Sequence, residues 1–307
     1  LLDRSNPKRT MFQNNIRMYN NAFGFTSVGA NMDKSINNGR GPFVYRIHGV
    51  LYHQIGSLFA EESKKPVFSQ IYMYDNQEQV SKHMNFPNSE EPLDSEITEC
   101  LSVMLHRVNA LVDIYRQVRD RYKESEVIPG KLRLIANRDT DGRESNVPTN
   151  AYDFAGLVAN SNLADDRDIV VHPHDGFLHR ISVLHPCYMS LQYPLLFPWG
   201  EDGFRIDILH SGVSEKSGNK RDVVTIREYY CYRLQYRDAE GHTLIGGGRL
   251  FLQFVVDAWA CIEHTRLTWV LTHQTILRPD LYTNVVDSVK KGDINTSTIG
   301  KWIVLPS

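Results

Sequence analysis

The sequence predicts an α+β protein: short, antiparallel strands, a long amphipathic helix, and then a mostly helical C-terminal part. Three observations carry this. Apolar residues Ile97, Leu101, Met104, Val108, Leu111, Tyr115, Val118 and Tyr122 recur at alternating spacings of four and three, which is a helical seam. Short runs rich in β-branched and aromatic residues are punctuated by Asp, Gly, Asn and Pro turns. Strand-like and helix-like stretches are segregated rather than alternating as βαβ units.

Taken in order, Lys8–Phe23 places Phe12, Ile16, Tyr19 and Phe23 on one helical face. Two strand-like runs, Phe43–His48 and Val50–Gly56, follow a polar, glycine-rich break, and Pro66–Tyr74 (PVFSQIYMY) reads as a third. A helix over Asp75–Met84 closes this first unit. The helix over 94–122 begins at a capping Asp94 or Ser95 and ends before Pro129-Gly130. Its seam reads as a core helix lying over a sheet, or as an interaction module pairing with a second helix.

Lys131–Asn137, Ala155–Ala159, Asp168–His172 and Leu178–Leu184 read as strands. Helices are expected over Thr225–Arg237, Gly248–Ile262, Leu267–Leu277 and Leu281–Val289. The polar stretch Asp139–Asn150 is the best linker. Three regions result: an N-terminal α+β unit (1–138), a β-rich unit (151–224) and a helical region (225–307).

Composition excludes several classes. A chain of 307 residues can bury about three quarters of its surface without covalent staples. Its four cysteines contain no C-x-x-C pair, so neither a zinc finger nor a disulfide framework is expected. No apolar stretch is long enough to predict a membrane span. Net charge is −2, but residues 1–50 carry seven Lys/Arg against two Asp/Glu. That basic end faces either an anionic partner or simply solvent. The chain opens on Leu1 with no apolar leader, which predicts a portion of a longer chain.

The chemistry is sparse. His172-Pro173-His174 is the only His-x-His, and with Asp175 it is the candidate for a metal-dependent nuclease, although Pro173 and the Asp175-Gly176 turn mark a strand end. His179 and His185 lie close in sequence. No phosphate-binding G-x-x-x-x-G-K-[ST] and no G-x-S-x-G occur; Gly246-Gly247-Gly248 precedes a helix but lacks the lysine. In Ile226–Arg237 (IREYYCYRLQYR), a continuous helix would carry Tyr229, Arg233 and Tyr236 on one face with Arg237 at its edge. Arginine for phosphate and tyrosine for base stacking suits a single-strand surface, and buried rings with outward arginines is the competing reading.

The string HPCYMSLQYPLLFPWGEDGF (His185–Phe204) resembles the signature upstream of the helicase-like domain of plant Helitron transposons. Phe12–Ala30, Gly41–Leu58, Arg227–Arg237, Gly247–Glu263 and Gly300–Ser307 resemble the same family in the same order. The resemblance implies a rolling-circle replication initiator and helicase, with a His-hydrophobic-His metal nuclease and an ATP-dependent helicase downstream. None of that family's metal or helicase motifs maps onto a residue here. The expectation is therefore a non-catalytic fragment, without cofactor of its own; divalent metal and ATP belong to the missing modules. Expected partners are single-stranded DNA, through Tyr229, Arg233, Tyr236 and Arg237, and those modules, in the nucleus and not at a membrane.

Overall fold

The computed structural model describes residues 1–3, 5–32, 35, 47–61, 64–74, 93–124, 131–134, 156–158, 168–174, 176–213, 222–237, 242–277, 283, 287, 288, 290 and 291. The architecture is α+β, with helices, short antiparallel strands and a mostly helical C-terminal part. Two compact units divide the chain, Leu1–Val256 and Asp257–Ser307. The expected linker at 139–150 and the helix at 75–84 lie outside the described residues, as do most of the helix at 281–289 and all of the closing GKWIVLPS.

Helix α1 (Arg9–Phe23) forms where the spacing predicts it, and Phe12, Ile16, Tyr19 and Phe23 are all buried. One sheet has the order β1 (Ser27–Met32), β2 (Ile47–Ile55), β6 (His179–Arg180); the other has β4 (Gly156–Val158), β3 (Lys131–Leu134), β5 (Ile169–Val171). All pairs are antiparallel, and residues on both sides of 139–150 share each sheet. The strand at 47–55 runs through Gly49 without the break expected there. Leu178–Leu184 contributes only the two residues of β6 before turning. Arg133 on β3 pairs with the fully buried carboxylate of Asp168, so the charge at the start of β5 is compensated.

Pro66–Tyr74 is not a strand: Phe68–Met73 is a 3-10 helix. Ile71, Tyr72 and Met73 are consecutive and all buried, which a strand of period two cannot place on one side. Phe68 adopts φ 52°, and the Gln70 side chain closes the turn by accepting from the Val67 amide at 3.1 Å. Tyr72 stacks on Phe25 at 4.6 Å and donates its hydroxyl to the Phe23 carbonyl at 2.6 Å.

The expected helix over 94–122 is two helices, α2 (Ser95–Val108) and α3 (Ala110–Glu124). Asp94 caps the first, accepting from the Ile97 amide at 2.9 Å. Asn109 breaks the ladder with extended backbone (φ −89°, ψ 113°), and its carboxamide oxygen caps the second helix at the Leu111 and Val112 amides (3.0 and 3.2 Å). The Ala110 amide donates to the Trp199 carbonyl instead. Gly200, at φ +67°, seals the junction, since a Cβ there would lie 2.9 Å from the Asn109 oxygen and 3.2–3.3 Å from two backbone nitrogens. Ile97, Leu101, Leu111, Tyr115 and Val118 are buried. The seam is therefore packed into this chain's own core rather than held out to a second helix.

The centre of the first unit is the segment around α4 (Tyr188–Gln192), and every residue from His185 to Phe197 is buried. Phe25 donates its amide to the Leu191 carbonyl at 2.8 Å, and Thr26 donates its hydroxyl to the Gln192 side chain at 2.7 Å. His53 stacks on Tyr188 at 3.9 Å and donates from Nδ1 to its carbonyl. His185 accepts the Cys187 amide at Nδ1 and so donates from Nε2 to the Leu134 carbonyl. Thus the longest motif in the sequence ties α1 and both sheets together.

The C-terminal helices are α5 (Ile226–Arg233), the short α6 (His242–Ile245), α7 (Arg249–Thr272) and α8 (Gln274–Leu277). The boundary between the units falls inside α7. In the second unit, Thr265, Thr268 and Thr272 return their hydroxyls to carbonyls three or four residues back, and Trp269 stacks on His273 at 4.5 Å. Among the described residues no helix is long and apolar enough to cross a membrane.

Candidate nucleic-acid interface

The tyrosine-rich stretch is organised by a capping box. Thr225 accepts the Glu228 amide at 3.2 Å, and the Glu228 carboxylate accepts the Thr225 amide at 2.8 Å, which starts α5. These hydrogen bonds hold the Glu228 carboxyl below its ordinary range. Ile226, Tyr229 and Tyr230 then turn inward. Tyr229 is only 8% exposed, with its ring edge-on to Phe204 at 5.8 Å and to Tyr230 at 5.4 Å.

The helix stops at Arg233, with Leu234 as its C-cap. Tyr236 and Arg237 therefore lie past its end, and the single face of Tyr229, Arg233 and Tyr236 expected from a continuous helix does not form. Arg233 turns toward the protein, 5.7 Å from the Phe197 ring centroid. The ring that α5 presents outward is Tyr232, 48% exposed, beside the exposed Arg227, Glu228 and Cys231, and just beyond the helix lies Tyr236, 64% exposed. The Arg237 guanidinium lies over the Tyr232 ring at 3.4 Å and donates to the Tyr232 carbonyl at 2.7 Å. It thereby caps the helix end and holds a cation on an exposed aromatic face. The packing reading has Tyr229, Tyr232 and Tyr236 all buried, and the structure buries only Tyr229; three residues on, Tyr232 sits at the edge of the buried face.

Glu201 lies close enough to Arg233 to feel its charge. Burial pushes the Glu201 carboxyl above the usual carboxylate range, offset in part by backbone N–H groups and by Arg233, and Oε2 is buried without a hydrogen-bond partner. An acid raised in this way contributes stability that is complete below its unfolded pKa and lost as pH rises through its folded one. Glu201→Gln is therefore expected to raise Tm at pH 7 by about 2–4 °C. At pH 4 the two proteins should melt together in differential scanning calorimetry; an equal gain at both pH values would assign the effect to packing.

The two histidines of the candidate metal pair make separate ring contacts. His172 stacks on His179 at 5.6 Å, whereas His174 stacks on Phe59 at 5.3 Å. Both nitrogens of His185 are engaged in the core, and Asp175 lies outside the described residues. Among the described residues no group of three or more His, Cys, Asp or Glu is placed to hold a metal ion. The glycine triplet is likewise structural. A Cβ on Gly247 would lie 2.5 Å from Leu196, Gly248 takes φ +53°, and the Leu250 and Leu252 amides are bonded to the Gly247 and Gly248 carbonyls.

The family described as the Helitron helicase-like domain at N-terminus matches residues 229–307. Over that C-terminal segment the chain is similar to a Helitron helicase-like N-terminal domain. Its match opens at Tyr229 within α5, so Tyr232, Tyr236 and Arg237 all fall inside the Helitron-like segment, as does α7. Phe254 on α7 meets the rings of Tyr193 and Phe197 at 5.8 and 5.4 Å, joining the Helitron-like segment to the buried His185–Phe204 string upstream of it. No curated protein matches the chain.

Proposed function

We propose that this chain is a non-catalytic portion of a Helitron-type rolling-circle replication initiator and helicase, a scaffold that contacts single-stranded DNA at the C-terminal end of α5. The observation that carries the reading is the outward pair Tyr232 and Tyr236 with Arg237 stacked between ring and backbone, inside the Helitron-like segment. Exposed rings offer sequence-tolerant stacking, and the guanidinium offers a phosphate contact. Tyr229 is not assigned to this surface because its ring is buried, and Arg233 supports it from behind. On this reading the partners are single-stranded DNA and the nuclease and helicase modules of the parent protein, in the nucleus. Divalent metal and ATP act in those modules, not here.

Fluorescence anisotropy with a labelled oligothymidylate tests the reading. Binding is expected at low salt and should weaken as salt rises, with a slope of about −0.7 per phosphate neutralised. Tyr236→Ala should weaken it by about tenfold, as expected of one lost stacking contact. Arg237→Ala should weaken it further and lower the salt slope by about one contact. A flat titration at low salt removes the DNA contact. Strand cleavage with manganese or magnesium, or ATP hydrolysis by the chain alone, would overturn its non-catalytic role.

A further inference from the structure

The β1–β2–β6 sheet carries an arginine on its outer face. Along β2 the side chains alternate: His53 and Ile55 are buried, so Tyr52 and Gln54 point to the opposite side. Gly29 of β1 stands opposite Tyr52, and Arg180 of β6 stands opposite Gln54. Residues opposite one another in an antiparallel pair share a face. Gly29, Tyr52, Gln54 and Arg180 therefore line one side of the sheet across all of its strands, while Ile181, next to Arg180, is buried on the other.

These residues are layered. The Tyr52 ring lies on Gly29, where a Cβ would fall 2.2 Å from Cε2 of the ring, so only glycine leaves it room. The Arg180 guanidinium covers the same ring, with Cζ 3.6 Å from the centroid. That is cation–π contact, and it holds the guanidinium flat on a sheet rather than on a loop. Arg180 is exposed, and among the described residues its side chain makes no ion pair and no hydrogen bond. The Tyr52 hydroxyl and the Gln54 carboxamide beside it make none either.

The surrounding charge has the same sign. β1, β2 and β6 contain no Asp or Glu, and residues 1–50, which include β1 and the start of β2, carry seven Lys/Arg against two Asp/Glu. An uncompensated guanidinium held on a ring keeps its N–H fork for an anion, and that fork matches phosphate oxygens. Its outer plane, turned away from Tyr52, can also carry a stacked base. An apolar ligand would leave the charge unanswered, and a metal cation would be repelled by it.

We propose that this sheet face is a second contact for a single nucleic-acid strand, with a phosphodiester held by Arg180 and the guanidinium positioned by Tyr52 over Gly29. It takes the same class of partner as the α5 surface but stands on different residues, so either contact can fail without the other.

Fluorescence anisotropy of the whole chain with a labelled oligothymidylate tests it. Arg180→Ala should weaken binding by about fivefold at low salt and lower the salt slope by about 0.7, one phosphate contact, with far-UV circular dichroism unchanged. Arg180→Lys should keep the slope and recover only part of the affinity, since the charge returns without the fork. Gly29→Ala displaces the Tyr52 ring without changing any charge, and should weaken binding by about threefold. Affinity and slope indifferent to Arg180→Ala overturn the proposal and leave the contact at α5 standing. Loss with Arg180→Ala but none with Arg237→Ala sinks the α5 contact and leaves this one. Oligoglutamate that competes as well as oligothymidylate of equal charge would make the face a site for acidic peptide and overturn the nucleic-acid assignment, and no binding of oligothymidylate at low salt overturns both contacts.

Discussion

Replacing Phe254 by alanine is expected to cost the Leu1–Val256 unit about 3–5 kcal/mol. Phe254 is 1% exposed and stands edge-on to three buried rings, Tyr193 at 5.8 Å, Phe197 at 5.4 Å and Tyr230 at 6.2 Å. Two of those rings belong to the His185–Phe204 string and one to α5. They cannot all close on the space an alanine leaves, because each is anchored elsewhere: the Tyr193 amide donates to the Met189 carbonyl, and Tyr230 sits in a capped helix. The loss therefore combines the transfer term for a large side chain with a cavity that does not collapse, and forfeits edge-to-face contacts of about 0.5–1.5 kcal/mol each. Urea denaturation followed by far-UV circular dichroism measures it. A loss below about 1 kcal/mol would mean that the cluster relaxes and that the joint between the Helitron-like segment and the upstream string is loose. Phe254→Leu, which keeps most of the volume, should cost markedly less.

The fold was legible where burial follows local periodicity, and illegible where a distant segment decides. In α1 the apolar face was readable because Phe12, Ile16, Tyr19 and Phe23 pack on their own spacing. The seam from Ile97 to Tyr122 was also readable, but not its break. Asn109 is a weak local signal for a cap, and only the Trp199 carbonyl and Gly200, ninety residues away, make it decisive. PVFSQIYMY has the composition of a strand, yet three adjacent residues must be buried together, and no propensity scale encodes that.

At the candidate interface the start of α5 had a signature that went unused, the Thr225-x-x-Glu228 capping box. Its end had none, because Leu234 and Gln235 are ordinary helix formers. Extending the helix through Tyr236 grouped residues that the structure separates. Which tyrosine faces solvent is settled by Phe204 and Phe254, and neither is a neighbour in sequence. The stack of Arg180 on Tyr52 was unreadable for the same reason, since the two residues meet only after β6 has paired with β2.

Asn20→Leu is expected to destabilise the same unit by about 2–5 kcal/mol, through lost hydrogen bonds rather than lost volume. Asn20 is fully buried on α1. Its side-chain nitrogen donates to the Gln192 carbonyl at 2.8 Å, and its oxygen accepts the Leu195 amide at 3.4 Å. Leucine has nearly the same size and keeps the helix, so packing changes little. What it leaves behind is a buried carbonyl and a buried amide at the end of α4, each costing about 1–3 kcal/mol without a partner. Thr26→Val removes one further hydroxyl that donates to Gln192, and should cost about 1 kcal/mol alone. Because both side chains hold the same residue, the two substitutions should not add: once Asn20 has released the Gln192 backbone, the Thr26 bond has less to hold in place. A double-mutant cycle by urea denaturation reads the coupling directly. Full additivity would show that Gln192 is held mainly by the Phe25 amide on the adjacent Leu191 carbonyl, and that the buried string tolerates the loss of its side-chain clamp.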